Sequence, residues 1–253
     1  MRNSKTLQYK SVFVSDIHLG TGFSKAEQFL EFLKSVECEN FYFVGDIIDG
    51  WAIKRKFKWK QSHSDVIQKV LRMARKGTHV YFVAGNHDEF LRPFLPLQLG
   101  NNLHVANEFA YNAGNGKRYL VTHGDFFDSV TMTKKWLAVL GDIGYDMLLH
   151  INAVVAWIRR RMGIKKYWSL SQYVKDNVKS SVSFINDFEG VLAQHVRHHN
   201  YDGVICGHIH KASLRQIGTV EYMNCGDWVE SCSAVVEHLD GTFEIVYWRE
   251  TTR

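Results

Sequence analysis

Four short runs rich in Val, Phe and Tyr, at Ser11–Ser15, Phe41–Val44, His79–Ala84 and Arg118–Thr122, each lead into a polar cluster. The clusters are Asp16 with His18, then Asp46, then Asn86 with His87, and last His123. Runs of this length and composition predict buried strands. Between them Ala26, Phe29, Leu30, Leu33 and Val36 repeat at helical spacing, as do Val66, Ile67, Val70, Leu71 and Ala74. The two helices are predicted over Ser24–Val36 and Ser64–Lys76, the second stopping at Gly77. Ser24 with Glu27 three residues on predicts a capping box. Alternating strands and helices make a layered α/β fold. Such folds place their sites at strand ends. A later run, Val204–Cys206, reaches His208 and His210 in the same way, so the chemistry is expected to collect at one edge.

A chain of 253 residues can bury one large core without staples. Its 45% hydrophobic and 23% charged residues exclude a disordered protein. The net charge of +5 suits an anionic, phosphorylated partner but offers no continuous track for nucleic acid. No obligate protein partner is evident. The 4 Cys form no C-x-x-C pair, so free thiols in a reducing compartment are expected. Met1–Lys10 is polar, and the first apolar run is too short for a secretory signal, which needs about 7–15 residues. A cytoplasmic placement is expected, with peripheral contact on the inner membrane face as an extension of it.

Thr219–Met223, Ser233–His238 and Phe243–Tyr247 alternate apolar and polar residues and predict an antiparallel sheet. Asp240-Gly241 is the turn signal between the last two strands. Phe126–Asn200 differs: it lacks Pro and strand patterning, and it is far longer than a crossover needs. Trp136, Leu137, Leu140, Ile143, Met147, Leu148, Ile151, Val154, Val155 and Ile158 form a broad helical stripe. An inserted helical cap at 126–200, within one domain spanning 1–253, is the expectation. Its densest run, Met147–Ile158, is broken by His150 and Asn152 and falls short of the roughly 20 apolar residues of a membrane span. It reads as a core or lid helix, or as one that grips acyl chains with Arg159-Arg160-Arg161 facing head groups.

Five signatures carry the chemistry: Asp16-Ile17-His18, Gly45-Asp46-Ile47-Ile48-Asp49, Gly85-Asn86-His87-Asp88, His123-Gly124-Asp125 and Gly207-His208-Ile209-His210. In extended backbone the period of two puts Asp16 and His18 on one side, and likewise His208 and His210. Asp16, His18, Asp46, Asn86, His123, His208 and His210 form a mixed nitrogen and oxygen donor set that suits Mn²⁺, Fe or Zn²⁺. That is too many ligands for one ion. Two ions sharing a carboxylate, about 3.5–4 Å apart, can clamp a phosphoryl group and activate water for in-line attack. Gly45, Gly85 and Gly207 each precede a ligand, where backbone must turn or approach closely. Lys54, Arg55, Lys56, Lys58 and Lys60, interleaved with Phe57 and Trp59, form a charged loop that could also meet phosphate or a membrane surface. Lys175 and Lys179, with Asn177 between them, are candidate substrate contacts one helical turn apart. Asp49, Asp88 and Asp125 are expected to orient ligands.

The five blocks resemble those of the calcineurin-like metallophosphoesterases, whose pattern is D-x-H, G-D-x-x-D, G-N-H-[DE], H and G-H-x-H. The resemblance implies a four-layer α/β sandwich, with two central mixed sheets flanked by helices. It implies that Asp16, His18 and His210 hold one divalent metal ion and Asn86, His123 and His208 the other, with Asp46 bridging. It implies that His87, with Asn86 and His208, meets the phosphate, stabilising charge or protonating the leaving oxygen. Within the family, the Gly45–Trp51 block, the His123-Gly124-Asp125 block, the helical insert and Gly226-Asp227-Trp228 are similar to the pyrophosphatases that cleave UDP-2,3-diacylglucosamine in lipid A synthesis. Those enzymes use manganese and cap acyl chains with the insert. They typically carry Arg where this chain carries His87.

Overall fold

In the computed structural model, which describes residues 6–128 and 179–248, the chain divides into two compact units. Met1–Phe126 with Leu192–Arg253 makes the first unit, and Phe127–Val191 the second. The expected cap lies outside the described residues between 129 and 178, and Lys175 and Asn177 with it.

The first half of the chain runs β1 (Leu7–Val14), α1 (Ala26–Ser35), β2 (Val36–Val44), α2 (Gly50–Arg55), α3 (Gln61–Arg75), β3 (His79–Val83), β4 (Leu97–Leu99), β5 (Leu103–Ala106), β6 (Glu108–Asn112) and β7 (Arg118–Thr122). The second half runs α4 (Lys179–His198), β8 (Gly203–Cys206), β9 (Ser213–Ile217), β10 (Val220–Asn224), β11 (Ser233–Glu237) and β12 (Phe243–Tyr247). The strands form two mixed sheets, a seven-stranded one in the order β12-β11-β1-β2-β3-β5-β4 and a five-stranded one in the order β6-β7-β8-β10-β9.

The apolar runs read as continuous because both faces of the central strands are buried. Val12, Val14, Phe41, Phe43 and Val80 face α1 and α3, where Phe29, Phe32, Leu33, Val66 and Met73 close over them. Their alternate neighbours Phe13, Tyr42, Val44 and Val83 face the smaller sheet and meet Tyr111, Tyr119, Val121, Ile205 and Met223. The pleat thus sorts successive residues into two cores, one between helices and sheet and one between the sheets. The result is an α/β sandwich. β1, β2 and β3 are parallel, as are β7 and β8, so the strands that carry the signatures deliver them in consistent directions.

Three local expectations change. α1 begins at Ala26 after Lys25 with no side-chain cap, so Ser24 and Glu27 form no capping box; the Ser24 N–H instead bonds to Thr21 Oγ1 in the preceding turn. α3 starts earlier than its apolar pattern, at Gln61, with buried His63 in its first turn accepting from the Gly20 N–H. The C-terminal strands do not make one sheet: β10 pairs with β8 and β9, whereas β11 and β12 extend the larger sheet beside β1. Alternation identifies a strand but not its partner. The Asp240-Gly241 turn does close the β11–β12 hairpin, with Gly241 at φ +84°.

Trp228 anchors the loop before β11. Its indole is fully buried, with ring centroids 4.7 Å from Phe29 and 5.1 Å from Phe32. Its backbone N–H donates to the Asp16 carbonyl. Trp228→Ala is expected to cost about 3–5 kcal/mol, the usual range for emptying an aromatic site, read as a lower denaturant midpoint. A change under about 1 kcal/mol would show that α1 collapses into the space. All four cysteines are free, and three of them are buried. Among the described residues no helix is long and apolar enough to cross a membrane.

Candidate metal centre

The ligand-bearing loops adopt a conformation that the sequence pattern does not suggest. Asp16, His18, Asp46, His208 and His210 all have positive φ, between 51° and 70°. Among the described residues only Asn200 and Cys232 share this among non-glycine residues. The period-two reading of Asp16 with His18, and of His208 with His210, is therefore incorrect: these residues lie past the ends of β1 and β8, in left-handed turns that fold the side chains inward. Such backbone is costly for Asp and His and concentrates at functional sites. Hydrogen bonds between loops hold it. The N–H groups of Asp16, Ile17 and His18 donate to carbonyls of Gly45 and Asp46, and the His208 N–H donates to Asp16 Oδ2 at 3.0 Å.

Three donor groups result, one of them His18 with Asp49 and His87. Asp16, His18 and His210 have donor atoms within 4.8 Å of one another, and so do Asp46, His123 and His208. His210 Nε2 lies 3.1 Å from Asp16 Oδ1. Asp46 Oδ2 sits between the groups, 3.3 Å from His123 Nε2 and 4.0 Å from His18 Nε2. The other oxygen of Asp46 accepts from the His87 N–H at 2.9 Å.

Imidazole orientation is set from behind. His123 Nδ1 donates to the Val44 carbonyl at 2.9 Å, so the lone pair is on Nε2, facing Asp46. His18 Nδ1 donates to Asp49 Oδ2 at 3.1 Å, again leaving Nε2 to face the carboxylates. Ring nitrogens held in this way are typical of metal ligands. Asn86 Oδ1 is buried with no hydrogen-bond partner, and buried Asp16 Oδ1 and His123 Nε2 face only the imidazole and carboxylate of their own groups. Buried polar atoms without partners cost energy, and a divalent ion in each of the Asp16 and Asp46 groups would satisfy them. The donor set fits a dinuclear divalent centre.

The electrostatics agree. Burial disfavours charge on Asp16 and Asp46, but the surrounding imidazoles outweigh it and hold both carboxyls below the usual range, Asp16 at about 2. Burial likewise opposes charge on His18, yet the Asp49 hydrogen bond with Asp46 and Asp16 raises it to about 9. Because that value lies above neutrality, His18 holds a proton at pH 7 that a metal ion must displace. Affinity for metal therefore rises with pH until that proton is lost.

The glycines are needed for approach. A Cβ on Gly45, which has φ +82°, would lie 2.2 Å from His123 Nδ1; on Gly85, 2.2 Å from Asp46 Oδ1; on Gly207, 2.6 Å from Ser15 Cβ.

Asp49 and Asp88 act behind the ligands, as expected. Besides holding His18, Asp49 lies 3.1 Å from His87 Nδ1 and caps α2 through the Ala52 N–H. Asp88 is fully buried and accepts from the N–H groups of Ile47, Ile48 and Gly85, tying the Asp46 loop to the Asn86 loop. Burial, with Asp46 nearby, pushes Asp88 up to about 7 against these three bonds. Asp125 pairs with Arg92 at 2.5 Å, and its charge is among those that raise the pKa of His123. Asp49→Asn is expected to lower metal affinity and turnover by about 10–100-fold, the usual cost of losing such a support. Metal titration with a fluorescent chelator would check it, and wild-type affinity would exclude the role.

Two residues escape sequence reasoning. Asp227 Oδ2 lies 3.9 Å from His210 Nδ1 while Oδ1 caps the turn at Val229–Ser231; the Gly226-Asp227-Trp228 triplet was its only signal. Trp51 lies over His87, ring centroids 4.3 Å apart, with its indole N–H held by Glu89. Lys179, the first residue of α4, has no described side chain.

The profile of the family described as calcineurin-like phosphoesterase matches residues 9–212. Similar curated proteins are named UDP-2,3-diacylglucosamine hydrolase. That of Vibrio atlanticus is 24% identical over 236 residues, 90% of this chain and 93% of its own. That of Neisseria gonorrhoeae is 23% identical over 235 residues, 91% of this chain and 94% of its own. That of Porphyromonas gingivalis is 28% identical over 127 residues, 47% of each chain. With the profile spanning most of its length and six of the seven expected donors drawn together as two groups, the chain belongs to the calcineurin-like phosphoesterase family and is a metal-dependent hydrolase.

Proposed function

We propose that this hydrolase splits the diphosphate of UDP-2,3-diacylglucosamine into UMP and the acylated sugar monophosphate, with two Mn²⁺ ions as its cofactor. The observation that carries the chemistry is the pair of donor groups meeting at Asp46 Oδ2. The substrate rests on the names of relatives aligned over about nine-tenths of the chain.

Asp16, His18 and His210 would hold one ion, Asn86, His123 and His208 the other, and Asp46 both. Divalent ions there supply Lewis-acid polarisation of a phosphoryl oxygen and lower the pKa of the attacking water. The chain's own contribution lies in positioning and proton control. His87 Nδ1 faces Asp49 at 3.1 Å, and its Nε2 lies 3.9 Å from Asp46 Oδ2. Burial disfavours its charge, but Asp49 and Asp46 outweigh that and raise its pKa. This stabilises the protonated form of His87, whose Nε2 proton the leaving oxygen can take. Asn86 and His208 flank the same phosphate.

Lys175, Asn177 and Lys179 are proposed to grip the substrate from the insert, the cap spanning 126–200 of a single 1–253 domain. A lipid substrate would place the enzyme in the cytoplasm, in peripheral contact with the inner membrane. A second reading, hydrolysis of a soluble phosphoester or nucleotide, is favoured by His87 beneath Trp51, where the lipid A enzymes typically carry Arg. Assay of UDP-2,3-diacylglucosamine with Mn²⁺ and detergent, beside a chromogenic phosphodiester, separates the two. Fast UMP release at micromolar lipid is the expected result. Turnover of the chromogenic ester alone would overturn the lipid reading and leave the hydrolase.

A further inference from the structure

His87 is gripped by one short stretch of chain, Asp49-Gly50-Trp51, at the start of α2. Asp49 Oδ1 lies 3.1 Å from His87 Nδ1. The Gly50 N–H donates to the His87 carbonyl at 3.0 Å. Trp51 lies against the imidazole, with ring centroids 4.3 Å apart and planes 40° apart. Trp51 is 41% exposed, whereas the His87 side chain is only 12% exposed.

Without the indole these contacts would leave the imidazole free to tilt. The Asp49 carboxylate is close to Nδ1 but off the line of a hydrogen bond, and such bonds weaken steeply with misalignment. The Gly50 bond fixes only the backbone of His87. The outer torsion of a histidine is broad, so the tilt of its ring is decided by what packs against it. His18 meets the ring nearly perpendicular at 4.7 Å, and Trp51 supplies the other aromatic contact.

The indole is itself fixed. Its N–H donates to Glu89 Oε1 at 2.8 Å, and Glu89 opens the single turn Glu89–Phe94 that follows Asp88. Gly50 permits the close approach: a Cβ there would lie 2.9 Å from the His87 carbonyl oxygen and 2.8 Å from Phe90 Cδ1. The two segments are therefore tied together at backbone, ring and indole N–H.

We propose that Trp51 is a positioning residue, locked by Glu89, that holds the His87 imidazole at the angle from which Nε2 meets the phosphate. This rests on the reading of His87 as the group that faces the phosphate, and it holds for either substrate class.

The test is a double-mutant cycle at saturating Mn²⁺, with UDP-2,3-diacylglucosamine and the chromogenic phosphodiester both assayed. Trp51→Ala is expected to lower kcat about 10–100-fold, with KM, bound metal and melting temperature unchanged. Trp51→Phe keeps an aromatic face and should recover most of the rate. In a His87→Ala background, Trp51→Ala should cause no further loss, since residues that act as one unit are not additive. A full further loss in that background, or an effect on KM alone, would make Trp51 a substrate contact and overturn the proposal. Wild-type kcat in Trp51→Ala, loss of bound metal from it, or an equal loss in Trp51→Phe would overturn it too. Wild-type turnover in His87→Ala would instead remove the role of His87 itself, and the proposal with it.

Discussion

Asp46→Ala is expected to abolish hydrolysis, with kcat/KM falling at least about a thousandfold, equivalent to about 4 kcal/mol of transition-state stabilisation. The size follows from position. Asp46 Oδ2 is within 4.0 Å of imidazoles from both donor groups, His123 and His18, and of His87. Its Oδ1 also holds the His87 N–H, so truncation disturbs both ions and the proton donor together. Asp46→Asn separates charge from shape: the amide oxygen can still accept from His87, but the negative charge between the groups is gone. Both variants should bind fewer than two equivalents of metal by mass spectrometry under native conditions. Full metal content with wild-type turnover in Asp46→Ala would exclude a shared centre.

Gly45→Ala should damage the fold and the site together. The added Cβ falls 2.2 Å from His123 Nδ1, the atom that donates to the Val44 carbonyl, and the residue has φ +82°. Overpacking costs roughly 1–3 kcal/mol, and left-handed backbone adds about 1–2 kcal/mol for an L-residue. A loss of about 2–5 kcal/mol is expected from the two together, with His123 pushed off its carbonyl and its Nε2 turned from Asp46. Thermal melting checks the first effect and metal content the second. A variant that melts like wild type and retains both ions would show that the His123 loop yields without cost.

The elements legible from pattern were those buried on both faces. β1, β2, β3, β7 and β8 were found because apolar residues fill both the helix-facing and the sheet-facing core. β9 was missed: its three central residues are exposed, and among the described strands it lies at the edge of the smaller sheet. β6, at the opposite edge, has the same outward polarity. The first half of β2 was hidden too, since Glu37 to Asn40 are only partly covered and pair with β1 without a full apolar run.

Residue types and spacing alone determined that this chain is a layered α/β protein with nitrogen and oxygen donors gathered at strand ends, because burial leaves a period and donor chemistry leaves a composition. Tertiary structure decided how those donors meet. Asp16 and His18 converge through left-handed turns held by carbonyls of a neighbouring strand's loop. His123 reaches Asp46 because Gly45 leaves room for its ring. Asp227, in the loop after β10, comes within reach of His210, in the loop after the neighbouring β8. These outcomes depend on bonds and contacts between segments far apart in the chain, whose cost in strained backbone is offset only when the segments pack together.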